Sequence, residues 1–264
     1  MLRLISGDSE AVIYEEGAYL YALRRRGVDV LLRGDLSRKT RGGMAVLIPY
    51  ANRVKGGVYE IDGVLYELPK NEEGNAIHGL VMDKTWRVAE AGPDAAVLEL
   101  ELEHSGYPSR LSCRVSYALR PGALEVAVRV RNMGPRRAPL TVGAHPYFLV
   151  EGPWRIRAQG AMRCVALNKI PTGGLEPHEF GEGGEYDDCF LIEQDPVVLE
   201  SRLSRIVLAR RNMPYVQIYT GVKGAVAVEP MSGAPDAYHN GMGLRILAPG
   251  EEAEYGFVVE FELK

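Results

Sequence analysis

Three consecutive stretches alternate apolar and polar residues so strictly that they leave little choice of fold. Leu98, Leu100 and Leu102 interleave with Glu99, Glu101 and Glu103. Leu111, Cys113, Val115, Tyr117 and Leu119 interleave with Ser112, Arg114, Ser116 and Ala118, and after Pro121-Gly122 come Leu124, Val126, Val128 and Val130. A period of two sends successive side chains to opposite faces, so each stretch reads as an antiparallel strand with one buried and one solvated face. Acidic and basic residues on the outer faces can pair across neighbouring strands. The glutamates of the first stretch are therefore expected at the surface, not in catalysis.

The same period runs through most of the chain. Strands are expected at residues 12–23, 28–32, 155–167, 189–192, 205–208, 216–219, 225–228 and 253–263, with loops at 36–43, 69–79 and 173–184. Residues 58–61 and 64–68 flank Asp62-Gly63, the pair that favours a type I′ hairpin because both central positions need positive φ. Only residues 201–211 offer a short helix as a competitor. The 30 glycines and 16 prolines supply many turns, and no linker, low-complexity tract or internal repeat divides the chain. Residues 1–264 are read as a single all-β domain, a sandwich or barrel, an architecture that reaches this length as one unit.

Charge narrows the function classes. With 31 basic against 35 acidic residues, a net of −4, and scattered arginines, there is no electrostatic footprint for nucleic acid. Cys113, Cys164 and Cys189 are odd in number and lack a Cys-x-x-Cys pair, which fits a reducing compartment and no structural zinc. The first eight residues turn polar before a signal-peptide core could form, and no apolar run approaches membrane-spanning length. A cytoplasmic protein without membrane partners is expected, as a monomer or weak homodimer.

Chemistry concentrates around Thr141-Val142-Gly143-Ala144-His145-Pro146-Tyr147-Phe148. Pro146 holds the approach to His145 extended, and the two aromatics offer flat faces that stack on a sugar ring or wall a dry pocket. Alone, a histidine beside aromatics is more often a packed core residue. Four further segments set polar residues among glycine, proline and apolar neighbours: Tyr50-Ala51-Asn52-Arg53, Asn75-Ala76-Ile77-His78-Gly79, Tyr186-Asp187-Asp188-Cys189-Phe190, and Val228-Glu229-Pro230-Met231 running on to Pro235-Asp236-Ala237.

In this order, with the Pro-Gly-Glu turn before the last strand, the five segments make the chain resemble the aldose 1-epimerases, or galactose mutarotases, from about Tyr50 onward. The resemblance implies a β-supersandwich and cofactor-free, metal-free interconversion of the α and β anomers of a free aldohexose. It casts Glu229 as the base that takes the anomeric hydroxyl proton and His145 as the acid that protonates the ring oxygen. His78 matches a second histidine, which assists at the ring oxygen or binds the sugar, and Arg53 and Asp187 match residues that bind the other hydroxyls. Asp188 departs from the family, which more often has His or Asn there. Leu80 and Leu149-Val150 are further departures, and they put the identity of the sugar in question.

The reaction itself asks for such a pair. Opening a hemiacetal removes one proton and delivers another to an adjacent oxygen, so the two functional atoms must lie within roughly 8 Å of each other. With ordinary pKa values the carboxylate starts ionised, and a neighbouring carboxylate is expected to hold the imidazole protonated. His104, His178 and His239 lie outside the matched segments, and Asp236 is assigned to loop structure. Two alternatives remain: a hexose-6-phosphate mutarotase using Arg38, Lys39 and Arg41, and a carbohydrate-binding or sensing protein without turnover. A cupin-like metal enzyme is disfavoured by the lack of a His-x-His pair.

Overall fold

The computed structural model describes residues 1–264, and antiparallel β-sheet dominates it. An eight-stranded sheet runs in the order Arg87–Ala91, Ala95–Leu102, Leu111–Arg120, Ala123–Asn132, Glu252–Leu263, Ser204–Arg211, Val197–Glu200, Arg155–Arg157. The second sheet has eleven strands; its centre runs Met44–Leu47, Gly143–Leu149, Ala225–Met231, Tyr215–Tyr219, Asp187–Leu191, and Leu2–Ser6 and Ile170–Pro177 lie at its edges. The alternating stretches of the first sheet pair as their pattern requires, with Cys113 opposite Val130 and Val115 opposite Val128. Their inner faces join Val46, Phe148, Val216, Ile218, Val226 and Val228 of the second sheet in one core of 58 buried residues.

The architecture is the all-β supersandwich that the motifs imply, but several local expectations need correction. Residues 12–23 are not one strand: the chain reverses between Ser9–Tyr14 and Tyr19–Arg25, with Gly17 and Ala18 at positive φ. The expected strand at 28–32 is reduced to Val28–Asp29, and part of the glycine-rich passage becomes the strand Ile170–Pro177. Residues 201–211 contain the strand Ser204–Arg211, which pairs along its length with Glu252–Leu263; sheet pairing overrides the local helix tendency. The only α-helix is the single turn Ala237–Asn240. The hairpin at Asp62-Gly63 forms with both central residues at positive φ.

Candidate active site

Polar residues on the outer face of the eleven-stranded sheet fall into two rows. Ala45 pairs with His145, Gln217 with Glu229, and Cys189 with Gln217. His145 stands opposite Glu229, because the flanking pairs are Gly143 with Met231 and Tyr147 with Ala227. One pleat away, about 7 Å along the strands, Tyr147, Ala227, Tyr219 and Asp187 make a second row. Residues in register across a sheet share a face, so segments distant in sequence converge here. Glu229 does not end its strand, as the apolar run 225–228 suggested; the strand continues through Pro230 to Met231, leaving the carboxylate in mid-sheet.

A small cover holds the remaining residues over these rows. Arg53–Val54 pairs with Ala76–Ile77, and the His78 N–H donates to the Asn52 carbonyl at 2.9 Å. Both His78 and Asn52 have positive φ. Gly79 is required next: a Cβ there would lie 2.3 Å from the Ile48 carbonyl oxygen. Arg53 donates to the Asn52 side chain at 3.0 Å and lies 3.5 Å from the Glu73 carboxylate. Asp236 serves structure, accepting from the Lys55 N–H at 2.8 Å and pairing with His239 at 2.6 Å.

The 36–43 loop and the Asn168-Lys169 turn close two further sides. Tyr147 donates its hydroxyl to the Thr40 carbonyl at 2.6 Å, and Arg41 donates to the Tyr219 hydroxyl at 2.8 Å. Lys169 pairs with Asp187 at 2.8 Å, and the other Asp187 oxygen accepts from Gln217 at 3.0 Å. Asp188 instead pairs with Arg163 at 2.7 Å.

The resulting open cleft, about 270 Å³, is lined by Arg53, His78, His145, Asp187 and Glu229 together. His145 Nε2 lies 3.4 Å from Glu229 Oε1, well inside the reach that ring opening demands. The His78 ring meets that of His145 edge-on at 5.2 Å between centroids, and Tyr147 stacks on His145 at 4.8 Å. Six buried side-chain atoms have no hydrogen-bonding partner in the protein, and five of them belong to residues that line this cavity: His78 Nδ1, His145 Nδ1, Arg53 Nε, Gln217 Oε1 and Glu229 Oε2. Buried polar atoms are ordinarily satisfied, so their clustering leaves this cavity with unused donors and acceptors. No three His, Cys, Asp or Glu side chains converge as metal ligands.

Burial governs the charges of the pair. It pushes the Glu229 carboxyl well above the usual carboxylate range; Asp187 adds to the rise and Arg53 opposes it. It pushes the His145 imidazole down to about 3, with Arg41 adding to the fall. His78 is likewise driven well below the usual range, by burial first and then by His145 and Arg53. Desolvation works against the expected resting state, carboxylate beside imidazolium, and towards neutral carboxyl beside neutral imidazole. The two arrangements differ only in where one shared proton sits, and the attraction of opposite charges at 3.4 Å offsets part of the desolvation of the charged form.

Sequence reasoning missed Gln217, Tyr219 and Lys169. Gln217 was legible in principle as the one amide in the apolar run Tyr215–Tyr219, where it is only 3% exposed. Lys169 had no signal, since an exposed lysine at a hairpin tip is ordinary.

Comparison with known proteins agrees with this architecture. The family profile described as aldose 1-epimerase matches residues 1–260. The Escherichia coli protein YihR, itself described as uncharacterized, is 29% identical over 95% of this chain and 89% of its own. Human galactose mutarotase is 34% identical, over 46% of this chain and 36% of its own. Among solved structures, a galactose mutarotase-like protein from Clostridium acetobutylicum superimposes with a TM-score of 0.86 at 20% identity, covering 99% of this chain and 95% of that one. No helix in the chain is long and apolar enough to cross a membrane. A profile match over nearly every residue, on the same fold, establishes that this chain belongs to the aldose 1-epimerase family.

Proposed function

We propose that the protein interconverts the α and β anomers of an aldohexose of the glucose or galactose type by acid–base ring opening and reclosure. Glu229 takes the proton of the anomeric hydroxyl while His145 protonates the ring oxygen and the bond from that oxygen to C1 breaks. Rotation about C1–C2 and reversed transfers close the other anomer. His78 assists at the ring oxygen, and Arg53 and Asp187 hold the remaining hydroxyls. The carrying observation is the 3.4 Å approach of His145 to Glu229 in a cavity that both line.

The proton count supports the assignment. The form that opens the ring carries the pair's one proton on the imidazole, reached from the neutral arrangement by direct transfer across the 3.4 Å gap; after opening the proton is on the carboxyl. Ring opening therefore moves a proton from His145 to Glu229 through the sugar, ending in the neutral arrangement that burial favours. The reversed transfers of ring closure return the proton from Glu229 to His145 through the sugar and so reset the pair. No electrons change hands and no cofactor enters the balance, and each positioned group contributes about 10²–10⁴-fold. A volume near 270 Å³ lies just below the roughly 300–1,000 Å³ of pockets for drug-sized ligands and suits a monosaccharide.

The phosphate alternative does not gather its three expected cations. Arg41 lines the cavity and Arg38 does not, while Lys39 is paired with Glu16. Polarimetry on freshly dissolved α-D-glucose and α-D-galactose tests the main reading. Glu229→Gln is expected to abolish nearly all acceleration while retaining sugar binding, and His145→Asn to reduce it at least about a hundredfold. Wild-type turnover by Glu229→Gln rules out the base role. Sugar binding without acceleration by the unmodified protein favours a sensor.

A further inference from the structure

We propose that Cys164 and Cys189 form a dithiol that hydrogen peroxide converts to a disulfide, and that this crosslink weakens sugar binding at the Asp187 end of the cleft. The crosslink stands on its own, while its effect on substrate rests on the anomer-exchange reading, in which Asp187 holds sugar hydroxyls.

Strand pairing sets the two thiols face to face. Met162 pairs with Leu191 and Arg163 with Phe190, so the next step of the ladder puts Cys164 opposite Cys189. Both are buried, at 2% and 5% exposure, and they pack with Tyr215 and Met231 in one cluster of nine buried residues. Their row runs on into the site: Cys189 pairs with Gln217, and Gln217 with Glu229. Cys113 lies elsewhere, in the core shared by the two sheets, where burial pushes its thiol up to about 12.

The two thiols are not equivalent. The neighbouring Cys189 thiol holds Cys164 below the ordinary thiol range, whereas burial, and then Cys164, pushes Cys189 well above it. The thiolate is the nucleophile, so Cys164 reacts first. Hydrogen peroxide, scarcely larger than water, suits a site this closed. Cys164 Sγ attacks one peroxide oxygen, the O–O bond breaks, and water leaves a sulfenic acid behind. Cys189 Sγ then displaces the hydroxyl from the Cys164 sulfur as a second water. Two thiols and one peroxide thus become one disulfide and two waters, and the two electrons lost by sulfur are gained by the peroxide oxygens.

The crosslink joins the two strands that carry Asp187 and Lys169. Cys164 lies in Met162–Leu167, which leads into the Asn168-Lys169 turn, and Cys189 lies two residues beyond Asp187 in Asp187–Leu191. Opposed Cβ atoms across paired strands are about 4.5–5.5 Å apart, and a disulfide needs roughly 3.5–4.5 Å. Closing it draws the strands together by about 1 Å and displaces Asp187 from its contacts with Lys169 at 2.8 Å and Gln217 at 3.0 Å. His145 and Glu229 stand on other strands, so binding suffers more than turnover. A disulfide closed under strain is readily reduced.

Peroxide treatment followed by thiol titration of the denatured protein should leave one of the three thiols, with Cys164 and Cys189 joined in the peptide map. On the better of D-glucose and D-galactose, KM should rise about tenfold with kcat nearly unchanged, and dithiothreitol should restore it. Cys164→Ala and Cys189→Ala should each keep the reduced protein's KM under peroxide, so a folding defect in one variant leaves the other to decide. Three thiols retained, a disulfide to Cys113, or one cysteine driven to sulfinic acid without a crosslink overturns the dithiol. A mapped crosslink that leaves KM unmoved overturns its effect on the cleft. A reduced protein that accelerates neither sugar overturns the anomer-exchange reading, and the peptide map then decides the dithiol by itself.

Discussion

The two large sheets bury their strands by different rules. In the eight-stranded sheet, Leu111–Arg120 alternates buried and half-buried residues along its whole length. Its outer face carries ion pairs such as Arg114 with Glu99 and Arg129 with Glu254. In the eleven-stranded sheet, Ala225–Met231 is buried at every position, and Gly143–Leu149 at every position but the last. One face of those strands meets the core; the other is roofed by the Arg53–Val54 cover and the 36–43 loop. A polar residue on the first sheet's outer face stays in water, whereas one on the second sheet's outer face enters a cavity. The same residue type, glutamate, is a 27%-exposed side chain paired with Arg87 and Arg114 at Glu99 and a 2%-exposed one at Glu229.

Substitutions can break this contrast, and Leu98→Ala should have the largest effect. Leu98 is fully buried under the first sheet, so its truncation should cost about 2–5 kcal/mol of stability. Denaturant melts would register the loss, and kcat of the protein still folded should be unchanged. A drop in kcat at constant fold would mean the two sheets are not separable in function.

Glu229→Gln should come next, with the opposite sign. Burial raises the folded-state pKa of Glu229 above its unfolded value, so its stabilising contribution is full below the unfolded pKa and is lost as pH rises through the folded one. Removing the titrating group should therefore raise stability by about 0.5–2 kcal/mol at neutral pH, and by more as pH increases. Thermal melts across pH check this; a variant less stable than its parent above neutrality contradicts a carboxyl held neutral by burial.

His145 runs the other way. Its folded pKa is depressed to about 3, so its contribution is present above the ordinary imidazole pKa near 6.5 and is lost as pH falls towards 3. His78, also depressed, adds to the same acid loss. His145→Asn should flatten this limb of the stability profile, and an unchanged limb would show that the imidazole is not the group being titrated. The smallest effect is expected at Arg87→Gln, which removes an exposed pairing with Glu99 and should cost about 0–1 kcal/mol.

The first sheet was legible in sequence because one of its faces is wet, and water writes a period of two into the residues. The strands around His145 and Glu229 are buried on both faces, so that signal fades and their limits were misjudged. Glu229 looked like a strand end because the apolar run stops there, although backbone pairing continues through Met231. Gln217 passed unnoticed for the same reason: its role comes from its register opposite Glu229 and its contact with Asp187. Cys164 and Cys189, distant in sequence, pack into one small buried cluster that only strand pairing creates.

By itself the sequence determined the all-β class, the hairpin at Asp62-Gly63 and the residue types that acid–base chemistry needs, because alternation, turn chemistry and motif are local properties of the chain. Only the tertiary structure decided that His145 and Glu229 come within 3.4 Å, that burial raises the carboxyl pKa and lowers the imidazole pKa, and that Arg41 and Lys169 line the same cleft. Register and desolvation belong to the folded assembly, since each depends on neighbours that lie tens of residues away along the chain.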